Sequence, residues 1–530
     1  MKTNYILALI LFNTTSVAAQ QVEFKQFFTP FDTATNHYGT SLTFEGSFFA
    51  VGSEINNTNE NGNNSLSHSG AVYAYKYGSF QWDFMQKIVA ADRSSEELFG
   101  SSITFVGSEI IVGAESADEF VSSKVNVGAV YVFEQISKIW TEKQKILASD
   151  RIENDGFGNV VKGFGDALFI QSHSQSYDEN GQNYIQGTGA VYYFKKESGT
   201  WVEKQKIVAP DRADINEVFG NSITYNNTNL FIGSASASDE TGLNPVSYSG
   251  AVYIYEKNGN GEWVFIQKIK ASDAKSNDAF GSFGMDLFGN MLIVGSGSGF
   301  DESGGNFITN SGAVYYFKKN ITNGQWEELQ KIVSPHRQEE ALFGNSISLD
   351  GSMLAIGTEN DATDVNNSNT IGLAGATYLF ELDLNQNWNF WKKLVANNRT
   401  AGSFFGTQVD LINNNLIITS ERDKVGSSFR NGSAHYFTIS GGSIGISQAL
   451  NHEDLQVYPN PFKNKVTVES SSEIRRIRIY DLQGKIIYES PIMRNVINKS
   501  ILLDDLMPSL YIMQIQTLNG AHRERIVKIK

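Results

Sequence analysis

Short alternating apolar segments recur along most of the chain, and glycine-bearing turns separate them. The stretch LFGSSITFVGSEIIVGA, residues 98–114, contains one alternating strand, a tight turn and a second apolar run. Alternation with a period of two predicts half-buried β-strands rather than amphipathic helices. The chain also has 48 glycines and 12% aromatic residues but only 8 prolines, a composition typical of short strands joined by turns. We therefore predict an all-β protein.

Residues 98–114 are one of seven copies. Each copy opens with an aromatic residue followed by glycine, and successive copies lie 58–63 residues apart. The aromatic residues are Tyr38, Phe99, Phe157, Phe219, Phe280, Phe343 and Phe405. A third strand such as GAVYVF (residues 128–133) follows, and a fourth segment usually runs from a tryptophan to Gln-Lys-Ile, as in Trp263–Ile269. Four short strands per repeat predict the blades of a β-propeller.

The two ends of the array distinguish a closed propeller from an open solenoid. A tryptophan segment follows each of the first six units but not the seventh. The segment VEFKQFFTP, residues 22–30, resembles that missing strand around Lys25-Gln26 and precedes the first unit. A chain that lends its first strand to its last blade closes a ring and leaves no open edge. We predict a seven-bladed β-propeller over residues 22–440, closed by the N-terminal strand.

The repeated segment has an architectural explanation. The glycine after each aromatic residue is expected where adjoining blades leave no room for a side chain, or where φ is positive. The aromatic residues and the tryptophans are expected to fill the space between neighbouring blades.

These aromatic-Gly openings, followed by GAVYVF strands, resemble FG-GAP repeats, the blades of the integrin α-subunit propeller and of many bacterial surface proteins. The resemblance covers roughly residues 22–440 and implies the fold, whereas propellers serve adhesion, sugar binding and catalysis alike. Calcium-binding members carry an Asp-rich loop between the first two strands of a blade. Here that connection is brief, as at residues 105–109, and is too short to supply six to eight oxygen ligands. We therefore do not assign the calcium ligands of that family to residues of this chain, and we predict no cofactor.

Acidic turns precede the third strand in several copies. Asp178, Asp239 and Asp301 each lie eleven residues ahead of the GAVY glycine, and Asn59 holds the same place in the first copy. The fixed register predicts that they share one face of the ring. They are candidate weak cation sites, calcium included, or sites for a polar ligand. The alternative is a turn in which the side chain bonds nearby backbone N–H groups.

The same loops carry Tyr184 and Phe307 at matching positions. Either ring is a candidate platform for stacking on a sugar. The alternative is that these aromatic side chains only anchor a long loop.

Candidate catalytic groups are sparse. The seven histidines occur singly, there is no cysteine, and GSGSG at residues 295–299 lacks the helix that a phosphate site needs. Acidic pairs are plentiful, but a sequence does not reveal two carboxylates facing each other across a cleft, as glycoside hydrolysis requires. With no catalytic constellation, we predict that the protein is not an enzyme.

The ends of the chain carry export features. Residues 1–20, MKTNYILALILFNTTSVAAQ, combine Lys2, a short apolar run and small residues, which predicts a signal peptide over residues 1–19, cleaved near Ala19. No later stretch is apolar enough to span a membrane. The net charge is −15, and residues 451–530 hold 12 Lys and Arg against 9 Asp and Glu, which leaves −18 for residues 1–450. An acidic surface argues against a nucleic-acid partner.

After a polar linker, residues 441–453, the last segment changes character. Alternation at 466–468, 477–480 and 511–515 predicts a small antiparallel β-sandwich over residues 454–530. The order of its motifs resembles the type A C-terminal sorting domain of the type IX secretion system, although Ser509-Leu510 replaces the glycine usual before the last tyrosine. The matching residues are Tyr458, Pro459, Asn460, Pro461, Asp481, Gly484 and Tyr511. The resemblance implies type IX machinery as a partner and a location at the outer-membrane surface or outside the cell.

We therefore expect an exported binding or adhesion propeller whose glycan or protein ligand the sequence does not name. The alternative is a hydrolase or lyase of extracellular polysaccharide with its site at the propeller mouth, and a third is a structural surface-layer component. Converging acids or histidines at the mouth would favour the enzyme, and aromatic residues with amides would favour the binder.

Overall fold

The computed structural model describes residues 21–528 except 32–36, 79–80, 120–123, 213–216, 227, 237–245, 321, 425–429, 441–455, 459–461, 471–472, 481–485, 492, 494–495, 505, 508 and 518–520. The regular elements of this part are all β-strands, so the all-β prediction is confirmed. It holds no helix of the length and apolar character that crossing a bilayer requires. The predicted signal peptide with Ala19 and the predicted linker lie outside the described residues.

Six sheets each contain four consecutive antiparallel strands, hydrogen-bonded in chain order. Sheet 1 comprises β2 (Leu42–Glu45), β3 (Phe48–Ser53), β4 (Ala71–Tyr77) and β5 (Trp82–Ile88). Sheet 2 comprises β6 (Ser102–Val106), β7 (Glu109–Ala114), β8 (Ala129–Ile136) and β9 (Ile139–Ile146). Sheet 3 comprises β10 (Phe157–Phe164), β11 (Ala167–Ser172), β12 (Ala190–Glu197) and β13 (Thr200–Ile207). Sheet 4 comprises β14 (Ile223–Tyr225), β15 (Asn229–Ser234), β16 (Ala251–Lys257) and β17 (Trp263–Ile269). Sheet 5 comprises β18 (Met285–Phe288), β19 (Met291–Ser296), β20 (Ala313–Lys319) and β21 (Trp326–Ile332). Sheet 6 comprises β22 (Ile347–Asp350), β23 (Met353–Thr358), β24 (Ala376–Leu382) and β25 (Trp388–Leu394).

Sheet 7 combines the two ends of the array. Its strands are β26 (Phe405–Ile412), β27 (Asn415–Ser420), β28 (Ser433–Ser440) and β1 (Gln21–Phe28). β1 pairs antiparallel with β28, from Gln21 opposite Ser440 to Phe28 opposite Ala434. The first strand of each sheet also contacts the first strand of the next, and β26 contacts β2. These repeated four-stranded sheets are consistent with a β-propeller.

The core lies between neighbouring sheets. One cluster joins Ala50 and Val72 of sheet 1 to Tyr131 and Trp140 of sheet 2. The six tryptophans at the first or second position of the fourth strands are only 2–5% exposed, as expected for residues that fill the space between neighbouring sheets. Burying one large apolar side chain contributes about 1.5–3 kcal/mol, so each interface gains more from its aromatic residues than from any one hydrogen bond.

Both lack of room for a side chain and a positive φ require the glycine after the aromatic residue. Gly100 has φ of 95°, and a Cβ built there would lie 2.6 Å from the carbonyl oxygen of Ala71. Phe99 also forms a parallel bridge to Gly70 of the preceding sheet. The aromatic-Gly pair therefore docks one sheet directly onto the backbone of its neighbour.

A reciprocal amide contact joins consecutive sheets. The Gln205 side chain on β13 donates to the Trp263 carbonyl at 2.9 Å and accepts the Trp263 N–H at 2.8 Å. Six such pairs occur: Gln26–Trp82, Gln86–Trp140, Gln144–Trp201, Gln205–Trp263, Gln267–Trp326 and Gln330–Trp388. We call them the Gln–Trp locks. In β25 the glutamine position is occupied by Lys392, and no lock joins sheets 6 and 7 among the described residues.

Replacing Gln205 with alanine is expected to lower the free energy of unfolding by about 1–3 kcal/mol, because two half-buried backbone groups lose their partner. Urea denaturation of wild type and Gln205→Ala measures this. The matched control is Gln325→Ala, since Gln325 is exposed and is expected to change stability by less than about 0.5 kcal/mol. Equal changes in the two variants would show that the lock is not stabilising.

The C-terminal segment forms two further antiparallel sheets. One contains β29 (Gln456–Tyr458), β30 (Lys465–Glu469) and β33 (Asn498–Leu502), and the other β31 (Ile474–Tyr480), β32 (Ile486–Glu489), β34 (Ser509–Thr517) and β35 (Ala521–Lys528). Their shared core includes Val466, Ile477, Met513 and Ile526. The three alternating segments expected from the sequence lie within β30, β31 and β34.

Candidate functional site

The loops between the second and third strands, here called the long loops, hold the acidic turns. Asp178 Oδ1 accepts the N–H groups of Asn180 and Gln182 at 2.9 and 2.8 Å, and Oδ2 accepts the Asn183 amide at 2.6 Å. The bond from Gln182 is the largest cause that lowers the pKa of Asp178 below its ordinary value. This carboxylate is therefore engaged in shaping its own turn.

Asp301 is held in the same way. Its Oδ1 accepts the N–H groups of Ser303 and Gly305, each at 2.9 Å, and Oδ2 accepts the Asn306 amide at 2.6 Å. The Ser303 hydroxyl, which also bonds this carboxylate, leads the causes that lower its pKa. Asp239 lies outside the described residues.

A further copy of the turn, not among the expected site residues, lies in sheet 6. Asp364 Oδ1 accepts the N–H groups of Asn366 and Ser368 at 2.9 and 3.0 Å, and the bond from Ser368 leads in lowering its pKa to about 2. Asp364 stands eleven residues ahead of Gly375. That spacing, shared with the other copies, was the available sequence signal.

Arginines on the connection between the fourth strand of a sheet and the first strand of the next sheet form hydrogen bonds with the long loops. Arg212 donates to the Ser176 carbonyl at 2.7 Å and to the Thr188 hydroxyl at 3.0 Å. Three further arginines donate to loop carbonyls in the same manner: Arg93, Arg337 and Arg399. A long loop held at both its turn and its base is preorganised for contact with a ligand.

The two candidate stacking residues lie on these loops. Tyr184 is 59% exposed and packs edge-on against Tyr177, with ring centres 5.3 Å apart. Phe307 is 60% exposed and lies 5.0 Å from the Phe300 ring. Each ring has one partner in its own loop and leaves much of its surface to solvent. A cleft of about 460 Å³ beside the sheet 3 loop includes Asp178 in its lining.

A group of glutamates lies where the long loops leave the sheets. The residue directly after the second strand is Glu54 in sheet 1, Glu115 in sheet 2, Glu359 in sheet 6 and Glu421 in sheet 7. Glu54 interacts electrostatically with Glu115 and Glu421, and Glu359 interacts with Glu421. We call these four residues the glutamate cluster; none of them was among the predicted site residues.

Burial is the main cause that raises the pKa of Glu54 to about 7, and repulsion from Glu115 and Glu421 adds to it. Burial likewise raises the pKa of Glu359 to about 7, with repulsion from Glu421. These carboxyl groups therefore exchange protons near neutral pH.

Polar side chains surround the glutamate cluster. Asn345 donates to Glu359 at 3.1 Å, and Asn159 donates to Glu115. His173, which holds the glutamate position in sheet 3, places Nδ1 3.7 Å from Glu115 Oε2. The cluster can accept hydrogen bonds from hydroxyl or amino groups. Within the described residues no group of three or more His, Asp or Glu side chains is arranged to hold a metal ion.

Two family models match the repeats and the last domain. The model described as FG-GAP repeat matches residues 82–133, 201–255 and 263–317. The model described as secretion system C-terminal sorting domain matches residues 456–530. The chain carries FG-GAP repeats and a type IX sorting domain. Each matched FG-GAP repeat begins at the tryptophan of one sheet and ends in the third strand of the next.

The sorting domain indicates that the type IX machinery handles the chain and exports it to the outer-membrane surface or the extracellular space. Two of its expected motif residues are described: the Tyr458 hydroxyl donates to Glu469 at 2.8 Å, and Tyr511 is buried and donates to the Met507 carbonyl at 2.7 Å. Pro459, Asn460, Pro461, Asp481 and Gly484 lie outside the described residues.

Two solved structures resemble this chain in part, although their sequences differ widely from it. Sqt1 of Saccharomyces cerevisiae is 11% identical, with a TM-score of 0.40 over 96% of this chain and 100% of its own. A proposed 6-phosphogluconolactonase from Bacteroides uniformis is 10% identical, with a TM-score of 0.43 over 67% of this chain and 85% of its own. A search of curated proteins found no match.

Proposed function

We propose that the exported chain is a seven-bladed β-propeller whose ring is closed by β1, and that it binds a ligand outside the cell. The pairing of β1 with β28 and the contact between β26 and β2 support a closed ring. Closure covers the edge that β28 would otherwise expose.

The glutamate cluster is the observation that carries the binding role. Holding carboxylates of like charge together in a half-buried place costs folding free energy, and such perturbed groups concentrate at functional sites. Packing does not require them, because sheets 4 and 5 carry Ala235 and Gly297 at the same position. The cluster lies where the long loops begin, so that a ligand bound by the loops is within its reach.

The chemistry of this face fits a hydroxyl-rich ligand. Carboxylates and the Asn159 and Asn345 amides form hydrogen bonds with sugar hydroxyl groups, and the exposed rings of Tyr184 and Phe307 offer stacking surfaces. We therefore favour an extracellular glycan over a protein as the ligand. The mature propeller would act as an adhesin at the cell surface or as a released binding protein.

Cleavage of an extracellular polysaccharide is a second candidate function, and Glu54 and Glu359 favour it. A carboxyl group with a pKa of about 7 can donate a proton at neutral pH while an ionised neighbour acts as base or nucleophile. Binding and cleavage would use the same end of the ring. They differ in whether the glycan is consumed.

The first test is a glycan and matrix-protein binding screen on the full chain, run with calcium and with a chelator, with reducing ends measured in parallel. Specific glycan binding without new reducing ends supports the binding role, and loss of the glycan supports the enzyme. Chelator-sensitive binding would assign a cation to the acidic turns. Absence of both binding and turnover would contradict both functions.

The double variant Glu54→Gln, Glu359→Gln is expected to lose ligand binding and yet to melt about 2 °C or more higher at pH 8. The folded-state pKa of each group lies above its ordinary value of 4.5. The folded chain therefore binds more protons between pH 4.5 and 7, and the stability of the wild type falls as pH rises through that window.

Thermal melts at pH 5 and pH 8, together with the binding screen, measure both effects. Glu302→Gln is the matched control, because Glu302 is an exposed long-loop carboxylate outside the cluster. A double variant that binds as wild type does would remove the cluster from the site.

A further inference from the structure

A cationic pocket lies at the boundary between sheets 6 and 7. Its volume is about 460 Å³, and its lining includes Leu373, Phe404, Arg422, Lys424 and Arg430. The two apolar residues come from the sheet 6 long loop and from the connection into β26, whereas the three cations follow β27. The pocket therefore has an apolar side and a cationic side.

The concentration of positive charge contrasts with residues 1–450 as a whole, which carry a net charge of −18. The positive charge of the pocket also acts on the nearby His37. Burial is the main cause that lowers the pKa of His37 to about 4, and the charges of Arg422 and Arg430 lower it further. Like charges held together in a concave site attract anions.

The architecture of the repeats does not require these cations. Arg422 is the second residue after its second strand, and the residues at that place in sheets 1 to 6 are Ile55, Ser116, Ser174, Ser236, Ser298 and Asn360. Arg430 stands two residues ahead of the third-strand glycine. The other sheets carry His68, Asn126, Gly187, Tyr248, Asn310 and Leu373 there. Seven copies of one fold thus serve as an internal control, and only the seventh is cationic at both places.

The pocket is also preorganised. The Arg422 guanidinium lies 5.0 Å from the centre of the Phe404 ring, and its Nε lies 2.9 Å from Glu421 Oε1. Stacking and the ion pair fix the plane of the guanidinium, which suits bidentate binding of a planar or tetrahedral acid. Arg430 is exposed and forms no side-chain hydrogen bond or ion pair with the part of the chain that the structure describes.

We propose that this pocket binds an acidic saccharide unit, with its carboxylate or sulfate group against Arg422, Lys424 and Arg430 and the apolar side of its ring against Leu373 and Phe404. A bounded pocket of this size suits one or two sugar rings rather than an extended peptide. The proposal takes its ligand class from the proposed binding function. The cations that would contact the acid lie outside the glutamate cluster, although Glu421 of that cluster positions Arg422.

The test is calorimetric titration of the full chain with three oligosaccharides of equal length: an oligouronate, a sulfated oligogalactan and a neutral oligoglucan. An acidic oligosaccharide is expected to bind about ten-fold or more tightly than the neutral one, with an affinity that falls as salt is raised. The two acidic probes distinguish a carboxylate from a sulfate ligand.

Arg430→Asn is expected to weaken acidic binding about ten-fold by removing a charge-assisted contact. The matched control is Lys138→Asn, because Lys138 is also an exposed cation with positive φ, 72° against 62° for Arg430, and asparagine tolerates that backbone conformation. Equal melting temperatures of the two variants exclude a folding defect.

Equal affinities for acidic and neutral probes, or equal losses in the two variants, would overturn the pocket proposal. Absence of binding of both acidic oligosaccharides would overturn the saccharide assignment. If neutral glycans bind and only the Glu54→Gln, Glu359→Gln variant loses that binding, the proposed function stands while this proposal fails.

Discussion

Deletion of residues 22–30 is expected to lower the melting temperature of the chain by about 10 °C or more. The segment supplies all of β1 except Gln21, so its loss removes the pairing of residues 22–28 with β28 in sheet 7. The exposed edge of β28 would then face solvent and promote association between chains. Thermal unfolding and light scattering of the purified variant measure both consequences.

Two side chains account for much of the expected loss. Phe28 is 5% exposed and lies 5.0 Å from the Phe49 ring and 5.1 Å from the Tyr75 ring of sheet 1. Truncating a buried phenylalanine costs about 3–5 kcal/mol. Gln26 forms the Gln–Trp lock to Trp82 at 2.8 and 3.0 Å. β1 therefore holds sheet 7 to sheet 1 as well as completing sheet 7.

Single substitutions separate these contributions. Phe28→Ala is expected to reproduce a large part of the deletion. Lys25→Ala is the control, since among the described residues its ammonium pairs with the exposed Glu23 alone, at 2.6 Å, and exposed ion pairs contribute about 0–1 kcal/mol. An unchanged melting temperature after deletion of residues 22–30 would contradict closure of the ring by β1.

Removal of residues 455–530 is expected to stop export and to leave the repeat array in the periplasm. The sorting domain has its own core, which includes Val466, Ile477 and Met513, so that its removal need not unfold the repeats. Cell fractionation and surface labelling of the truncated chain measure this, with the melting temperature of the retained protein as the test of its fold.

A full-length variant tests whether the folded sorting domain is what the machinery recognises. Ile477 is fully buried, and Ile477→Asp places a charge in that core at a cost of several kcal/mol. We expect the same periplasmic retention as for the truncated chain. Leu502→Asp is the matched control on the same domain, because Leu502 is 70% exposed. Normal surface delivery of the truncated chain would refute the sorting assignment.

The four-stranded sheets 1 to 6 could be predicted because the residues that specify each of them are close in sequence. The aromatic-Gly pair and the GAVY strand repeat at fixed spacing, and each hairpin between first and second strands spans only two or three residues. The Gln–Trp locks were not predicted, although both residues belong to the repeated fourth-strand segment. Gln205 and Trp263 belong to different sheets, and their contact depends on how the sheets stack.

The glutamate cluster was missed for a related reason. Each glutamate looks like an ordinary surface residue in its own copy, and the cluster arises only when four copies converge at one end of the sheets. The available signal was the repeated Glu after the second strand, at Glu54, Glu115, Glu359 and Glu421. Charge repulsion between distant copies and burial by the long loops, which together raise the pKa values, are not visible in a linear pattern.

The pairing of β1 with β28 also sets an order for folding. Sheet 7 needs strands from both ends of the repeat array, so β1 has no partner strand until β28 is in place. Bringing the two ends of so long a loop together costs about 5 kcal/mol of chain entropy, and stacking of the intervening sheets offsets this cost by carrying the ends toward each other. We therefore expect the pairing of β1 with β28 to be a late step of folding, and we expect a chain with β28 still unpaired to be prone to aggregation.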